Sequence, residues 1–371
     1  MSETGKVKSV ITCDLEGRIE TYNKGAEMIF GYHPDEVIGK KRVSLFSPGQ
    51  VVLEHVPNWL KIAREQGKFE SDTVFLRRDG TPIAAHVRIT PTFRNGKQIG
   101  YCGVTEVLEG MDPKLAAPKI SLMTRIFSWM VITRAPFLTA IVVPILMGAA
   151  WVAYTLRGQS FPATQFWMAL FAGIFLHIAA NTFNDYFDWR SGTDKINNNY
   201  FLPYSGGSRS IELGLISERA LFIVATISLL ISAALGATLA VISGPAVLLF
   251  GLVGAFSSYF YTAPPLRLAA RRGLGELAVG MNFGPLATAG TVYALTSQLT
   301  VEAFLIGLPI GLLTTAILWI NQFPDEEADR EAGKINLVVM LGKRRARLGY
   351  LLLVAGAFGM LLYWLITGLF P

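Results

Sequence analysis

The sequence predicts two architectures in one chain: an α+β domain over residues 1–110 and an all-α polytopic membrane bundle over residues 134–371. Three observations predict this. Strand-length segments bounded by strong turn signals are confined to the first 110 or so residues. Apolar runs long enough to cross a bilayer begin only after about Arg134. Basic residues gather in alternate loops between those runs. The composition agrees: 51% of residues are hydrophobic, 16% are charged, and the mean hydropathy is +0.41, above the usual range of a soluble globular chain.

The opening residues, MSETGKVKSV, lack the apolar core and cleavage site of a signal peptide. The two cysteines, Cys13 and Cys102, both lie in the α+β part, which predicts no disulfide framework and a reducing compartment. A formal charge of +6 raises nucleic acid as a partner class. The positive residues sit in loops beside apolar segments, however, so membrane topology explains them and no nucleic-acid partner is expected.

In chain order, SVITCDLEGRIETYN reads as strand, turn at Glu16–Gly17, strand, and KGAEMIFGYHPDEVIGK as short helices broken at Gly31 and Pro34. TVFLRRDGTPIAAHVRITPTFRNGKQIGYCGVTEV then reads as three strands joined by Asp79–Gly80 and Asn95–Gly96, both strong hairpin signals. This order predicts a five-stranded antiparallel sheet with helices. Its words D-x-x-G-R-I-x-x-x-N from Asp14, A-E-x-x-F-G-Y from Ala26, E-V-I-G-K and R-R-D-G-T resemble a PAS sensor domain. The resemblance implies a ligand of unknown identity, or a homodimer formed through this domain. A flavin photosensor is set aside because no cysteine lies in residues 14–101. A haem would need His55, which a surface position explains better. Cys13 and Cys102 fall in the first and last strands, neighbours in such a sheet, so a redox pair competes with the better reading of two core thiols.

About seven apolar runs follow, near residues 136–156, 166–183, 220–243, 245–261, 277–295, 304–320 and 348–370. Ahead of them, within a linker of residues 111–133, KISLMTRIFSWMVITR mixes bulky apolar residues with Lys119, Arg125 and Arg134, as an interfacial helix does. One set of loops carries Arg190, Lys195, Arg209 and Arg219, then Arg267, Arg271 and Arg272, then Arg330, Lys334, Lys343, Arg344, Arg345 and Arg347, whereas the alternate loops are nearly bare. The positive-inside rule therefore predicts a multi-pass protein of the cytoplasmic membrane, with its N-terminal domain and three basic loops in the cytoplasm.

Two acidic clusters share that face. Asn181, Asn184, Asp185 and Asp188 recur at offsets of three and four and project from one side of a helix, with Asp194 following past Gly192. Asn321, Asp325 and Asp329 repeat the arrangement at a spacing of four, although Pro324 is expected to kink or restart that helix. A single cluster could be a solvated helix end. Two, each beginning with asparagine at the cytoplasmic end of a span, point to chemistry. Hard oxygen ligands at this density suit Mg²⁺ held with substrate phosphate oxygens, and Lys195, Arg209, Arg267 and Lys334 could meet the remaining phosphate charge. The implied substrate is a phosphate ester with an apolar tail that arrives from the lipid bilayer. His177, one turn before Asn181, could contact substrate, but a hydrogen-bonded core histidine is the preferred reading.

NDYFDWRSGTD and NQFPDEEADREAGKINLVVMLG resemble the two aspartate-rich motifs of the UbiA-type intramembrane prenyltransferases, and the match extends through PYSGGSRSIELGLIS and YFYTAPPLRLAARRGLGELAVGMNFGPL. The last two stretches are similar to the branch that prenylates 1,4-dihydroxy-2-naphthoate in menaquinone synthesis. The resemblance implies a helical bundle around a cavity, Mg²⁺ bridging aspartates to a polyprenyl diphosphate, and attack on the allylic cation by an aromatic acceptor. Carried over by motif position, Asp185, Asp188 and Asp194 with Asp325 and Asp329 are the metal residues, and Asp185, Asp188, Asp325 and Asp329 the catalytic ones. Asn181, Asn184 and Asn321, with the loop cations Lys195, Arg209, Arg267 and Lys334, make up the substrate-binding set, joined by Tyr261, which could flank the allylic cation through its π face or merely sit at the membrane interface. Pro324 and Met340 depart from the naphthoate branch, which often has arginine at both places. Nine spans are usual in the family against about seven here, an expectation of C-terminal truncation or of a bundle closed by a partner. The competing readings are transfer to a hydroxybenzoate, homogentisate, haem or glycerol-phosphate lipid acceptor, and a catalytically silent membrane-anchored sensor.

Overall fold

The computed structural model describes residues 7–156, 158, 160–191 and 208–368. The chain forms two compact units, one of Met1–Trp129 with Ser210–Ser217 and one of Met130–Arg209 with Glu218–Pro371.

The first unit runs β1 (Lys8–Asp14), β2 (Ile19–Tyr22), α1 (Lys24–Phe30), α2 (Pro34–Val37), α3 (Gly49–Glu54), α4 (Val56–Gln66), β3 (Phe69–Leu76), β4 (Pro82–Arg94) and β5 (Lys97–Val107). The strands form one antiparallel sheet in the order β2-β1-β5-β4-β3, as the hairpin signals predict. Asn23 caps α1 by accepting from the Ala26 N–H, Gly31 ends it in the left-handed conformation, and Pro34 opens α2. Alternate strand residues Ile19, Phe75, Ile83, Ala85 and Val87 pack with Ala26, Phe30, Val37 and Phe46 into the core. The Phe30 and Phe46 rings stack at 4.3 Å.

The cysteines occupy neighbouring strands, but Cys13 pairs with Tyr101 and Cys102 with Thr12. Residues paired across strands share a face, so a one-residue offset puts the two thiols on opposite faces of the sheet. The redox-pair reading is thereby removed.

Beyond the sheet lie α5 (Pro113–Ala116) and α6 (Leu122–Ile132). Helix α3 holds two further segments of the same unit. The Ser121 N–H donates to Glu54 Oε2 at 2.9 Å, and the adjacent His55 Nε2 donates to the Lys119 carbonyl at 3.2 Å. The Ser121 N–H bond holds the Glu54 carboxyl below its ordinary range. The Ser210–Ser217 segment folds into a turn, with the Gly214 N–H on Ile211 O and the Leu215 N–H on Ser210 O. It lies so close to Gly49 that a Cβ there would sit 1.9 Å from Leu213 O. Lys41 Nζ lies 3.9 Å from Glu212 Oε1.

The second unit is helical: α7 (Thr139–Thr155), α8 (Ala163–Ser191), α9 (Glu218–Ser243), α10 (Ala246–Phe260), α11 (Leu274–Met281), α12 (Ala287–Thr296), α13 (Val301–Leu305), α14 (Leu308–Glu331) and α15 (Leu337–Thr367). Among the described residues, five helical segments are long and apolar enough to cross a membrane: Ala135–Thr155, Ala163–Ser191, Glu218–Ser243, Val301–Glu331 and Leu337–Thr367. The other two predicted runs are the shorter α10 and the pair α11–α12, interrupted by a wide turn over Asn282–Leu286 that contains Pro285. Helix α8 packs along α9, α14 along α15, and α7 against α12. At Gly284 the backbones come together: a Cβ there would lie 2.5 Å from Gly307 O and 2.6 Å from the Gly311 backbone. Small residues permit such approach where lipid supplies no hydrophobic drive.

Pro324 does not restart its helix. Helix α14 continues through it, so Asn321, Asp325 and Asp329 lie on one helix. Proline withholds a single N–H, and the intrahelical bonds of the long helix on either side carry it through that one loss.

Candidate active site

Helix α8 delivers the first acidic set as one stripe. Asn181 Nδ2 reaches the Thr133 carbonyl at 3.4 Å, Asn184 Oδ1 accepts from Arg134 Nη2 at 3.3 Å, and Asp185 is ion-paired with the same Arg134. Asp185 is only 4% exposed and also accepts from the Ser208 hydroxyl, with the Ser208 N–H at 3.4 Å. A buried carboxylate needs this company, because an unpaired charge there costs far more than a hydrogen-bonded pair. Arg134 adopts a left-handed backbone conformation, φ 52°, at the turn ahead of α7. Arg209 follows Ser208, buried and likewise left-handed at φ 48°.

Helix α14 delivers the second set. Asp329 is buried, its Oδ2 accepting from Asn336 Nδ2 at 2.7 Å and its Oδ1 lying 3.7 Å from Lys334 Nζ. Glu326, one turn before Arg330, pairs with that arginine instead. Gln322 turns toward Glu276 of α11, donating to its Oε1 at 3.2 Å, and the Leu337 N–H donates to the same oxygen at 2.9 Å. Glu276 Oε2 and Gln322 Oε1 are buried and find no partner among the described residues.

Lys334 joins the two sets. Burial alone would pull its ammonium pKa down, but Asp329, 3.7 Å away, together with Asp188, Tyr261 and Asp325 within electrostatic reach, holds it above the ordinary lysine range. Asp188 belongs to the first motif, Asp325 and Asp329 to the second. Asp188 is in turn within electrostatic reach of Lys334, Arg134, Asp185 and Arg267. Arg267, left-handed at φ 47°, and Tyr261 thus fall at the same place.

The sequence-predicted residues therefore divide. Asp185, Asp188, Asp325, Asp329, Lys334, Tyr261 and Arg267 converge, with Asn184 and Arg209 adjoining through Arg134 and Ser208. Asn321 sits one helical turn before Asp325 on α14. Asp194 and Lys195 lie outside the described residues. Among the described residues no three acidic, histidine or cysteine side chains gather tightly enough to hold an ion. Arg134 and Lys334 instead neutralise Asp185 and Asp329. Four carboxylates served by cationic side chains are a hard-oxygen donor set that fits a divalent cation able to displace those cations.

Sequence reasoning missed Arg134, Ser208, Gln322 and Asn336 as residues of this site. The asparagine immediately before the apolar run of α15 was a readable capping signal. His177 is buried against the Phe283 ring at 4.7 Å with Nδ1 unpartnered among the described residues, so the hydrogen bond expected of it is not found at that nitrogen.

Comparison with known proteins places each part of the chain in a family. Residues 7–109 match the PAS domain family, and residues 141–371 match the UbiA prenyltransferase family. The chain is 31% identical over 261 residues to the 1,4-dihydroxy-2-naphthoate octaprenyltransferase of Mycobacterium tuberculosis, an overlap covering 67% of this chain and 83% of that protein. It is 28% identical over 235 residues to the Bacillus subtilis protein of the same name, covering 63% and 71%. A solved UbiA homologue from Archaeoglobus fulgidus bound to GPP and Mg²⁺ is similar at 20% identity and a TM-score of 0.47, covering 65% of this chain and 78% of that one. The chain is a multi-pass membrane prenyltransferase that belongs to the UbiA prenyltransferase family and carries an N-terminal PAS domain.

Proposed function

We propose that the protein transfers a polyprenyl group from a polyprenyl diphosphate to 1,4-dihydroxy-2-naphthoate, in a Mg²⁺-dependent reaction on the cytoplasmic side of the cell membrane. The observation that carries this reading is Lys334, 3.7 Å from Asp329 of the second motif and within electrostatic reach of Asp188 of the first. The names of the relatives support the acceptor, and the alternation of basic loops supports the orientation.

In the reaction the bond between the prenyl C1 and its oxygen breaks, and the electron pair leaves with the diphosphate. The ring carbon bearing the carboxylate supplies the pair for the new C–C bond, and loss of CO₂ restores the aromatic ring. Bound divalent cation would neutralise charge on the leaving diphosphate, held by Asp185, Asp188, Asp325 and Asp329. Lys334, Arg267 and Arg209 add positive charge where it develops. Tyr261 stands beside them with a π face suited to an allylic cation.

The same reading divides the chain into a sensor over 1–110, a linker over 111–133 and the transferase from residue 134, with the sensor tuning transfer. What supports tuning is the path of the chain. Ser208 binds Asp185, and two residues later the chain enters the Ser210–Ser217 turn, which packs on Gly49 of the sensor's α3. The same helix holds the linker through Glu54.

The test is prenylation by purified protein given Mg²⁺, farnesyl diphosphate and a panel of acceptors, with products identified by mass. Prenylated, decarboxylated naphthoate is expected. Product from hydroxybenzoate or homogentisate alone would replace the acceptor, and no product from any acceptor would favour the silent sensor.

A further inference from the structure

The side chain of Asn336 is fully buried and uses both ends of its amide. Oδ1 accepts from the Val339 N–H at 2.9 Å, capping α15, while Nδ2 donates to Asp329 Oδ2 at 2.7 Å. The next N–H, that of Leu337, is taken by Glu276 Oε1. The first turn of α15 is thus fixed to α14 through Asp329 and to α11 through Glu276. Between α14 and α15 lie only residues 332–336, which include Lys334, and the Lys334 N–H donates to the Asp329 carbonyl at 2.7 Å.

The two carboxylate oxygens of Asp329 therefore have different partners. Oδ2 is held by a neutral amide within a helix cap, and Oδ1 faces a flexible ammonium 3.7 Å away. The Asn336 contact is the tighter and the more rigid. The lysine contact is long, and its partner can swing aside on a four-carbon stem.

We propose that Asn336 is a positioning residue that sets the divalent-cation affinity of Asp329. By holding Oδ2 it fixes the carboxylate rotamer and leaves Oδ1 as the oxygen that passes from Lys334 to a metal ion. This rests on the divalent-cation reading of the site. Hydrogen-bond partners of metal-binding side chains typically change metal affinity about 10–100-fold when removed.

The test separates capping from positioning. Asn336→Thr keeps an oxygen that caps a helix nearly as well but has no amide to donate to Asp329. Asn336→Ser does the same with a smaller side chain, should threonine not be accommodated. Mn²⁺ binding to purified full-length protein is read by electron paramagnetic resonance, together with the thermal midpoint in chelator and turnover against Mg²⁺. The expected result is a dissociation constant raised about 10–100-fold, a midpoint in chelator near that of the unaltered protein, and turnover recovered by added Mg²⁺. Unchanged Mn²⁺ affinity would overturn the proposal. So would a lowered midpoint with lost turnover that no Mg²⁺ concentration restores, since that marks a structural cap only. If the unaltered protein itself binds no Mn²⁺, the divalent-cation reading falls, and this inference with it.

Discussion

Arg134 and Asp185 stand 51 residues apart in sequence and form an ion pair within the helical unit, the arginine also reaching Asn184. The pair ties the turn before α7 to the acidic stripe of α8. Arg134→Ala would leave the buried Asp185 without its main counter-charge, and breaking such a pair costs about 3–5 kcal/mol. A clear fall in the thermal midpoint is expected in chelator, with recovery when Asp185→Asn removes the stranded charge. An unchanged midpoint in the single variant would show that the pair carries no weight.

The turn over Ser210–Ser217 gives a way to test the proposed tuning while leaving the acidic residues untouched. Gly49→Ala places a Cβ where only 1.9 Å separates it from Leu213 O, so the turn must shift. Ser208, two residues before it, binds Asp185, and an error of about 1 Å in a catalytic constellation can cost about 10²-fold. Turnover is expected to fall by about tenfold or more, with circular dichroism and the stability of the isolated sensor sheet preserved. Identical kinetics in matched membranes would leave the sensor as a tether.

Cys13 and Cys102 will not form an internal disulfide under oxidising conditions, because the register places them on opposite faces of the sheet. Burial pushes the Cys13 thiol up to about 11, against the lowering effect of the Tyr101 backbone bond. At pH 8 the thiolate fraction is on the order of 10⁻³, so alkylation of Cys13 should be slow and rise about tenfold per pH unit toward pH 11. Because the folded value lies above the ordinary 9.0, the associated stability is fully present below pH 9 and is lost as pH rises from 9 through 11. Rapid alkylation at pH 7, or an oxidised monomer with a shifted gel mobility, would contradict the placement.

Orientation is tested at exposed basic positions. Single cysteines replacing Arg190, Arg272 and Arg345, in a chain lacking Cys13 and Cys102, should resist a membrane-impermeant thiol reagent in intact cells and react after lysis. Arg209 is unsuitable because it is buried. Labelling from outside at any of the three would overturn the shared cytoplasmic face.

Much of the architecture was readable because the relevant physics is local. Glycine and asparagine at hairpin turns, Pro34 at a helix start and the offsets of three and four along α8 each act over a few residues. The convergence of Asp188 with Asp329 followed from two similar clusters on one predicted face. What stayed hidden depends on distant partners. Nothing near Arg134 announces Asp185, and nothing near Glu276 announces the first turn of α15. Pro324 misled because its local penalty is outweighed by the helix on either side of it. Strand neighbourhood was legible for Cys13 and Cys102, but the register that separates their faces was not.

The most direct test of the central claim, that the two acidic motifs form one site acting on a prenyl diphosphate, is the divalent-cation dependence of prenyl transfer in the unaltered protein and in Asp185→Ala and Asp325→Ala. All three should insert equally into membranes. The unaltered protein should be inactive in excess chelator and recover with Mg²⁺, while each variant stays inactive at every Mg²⁺ concentration. Full activity of both variants, or full activity of the unaltered protein in excess chelator, would contradict it.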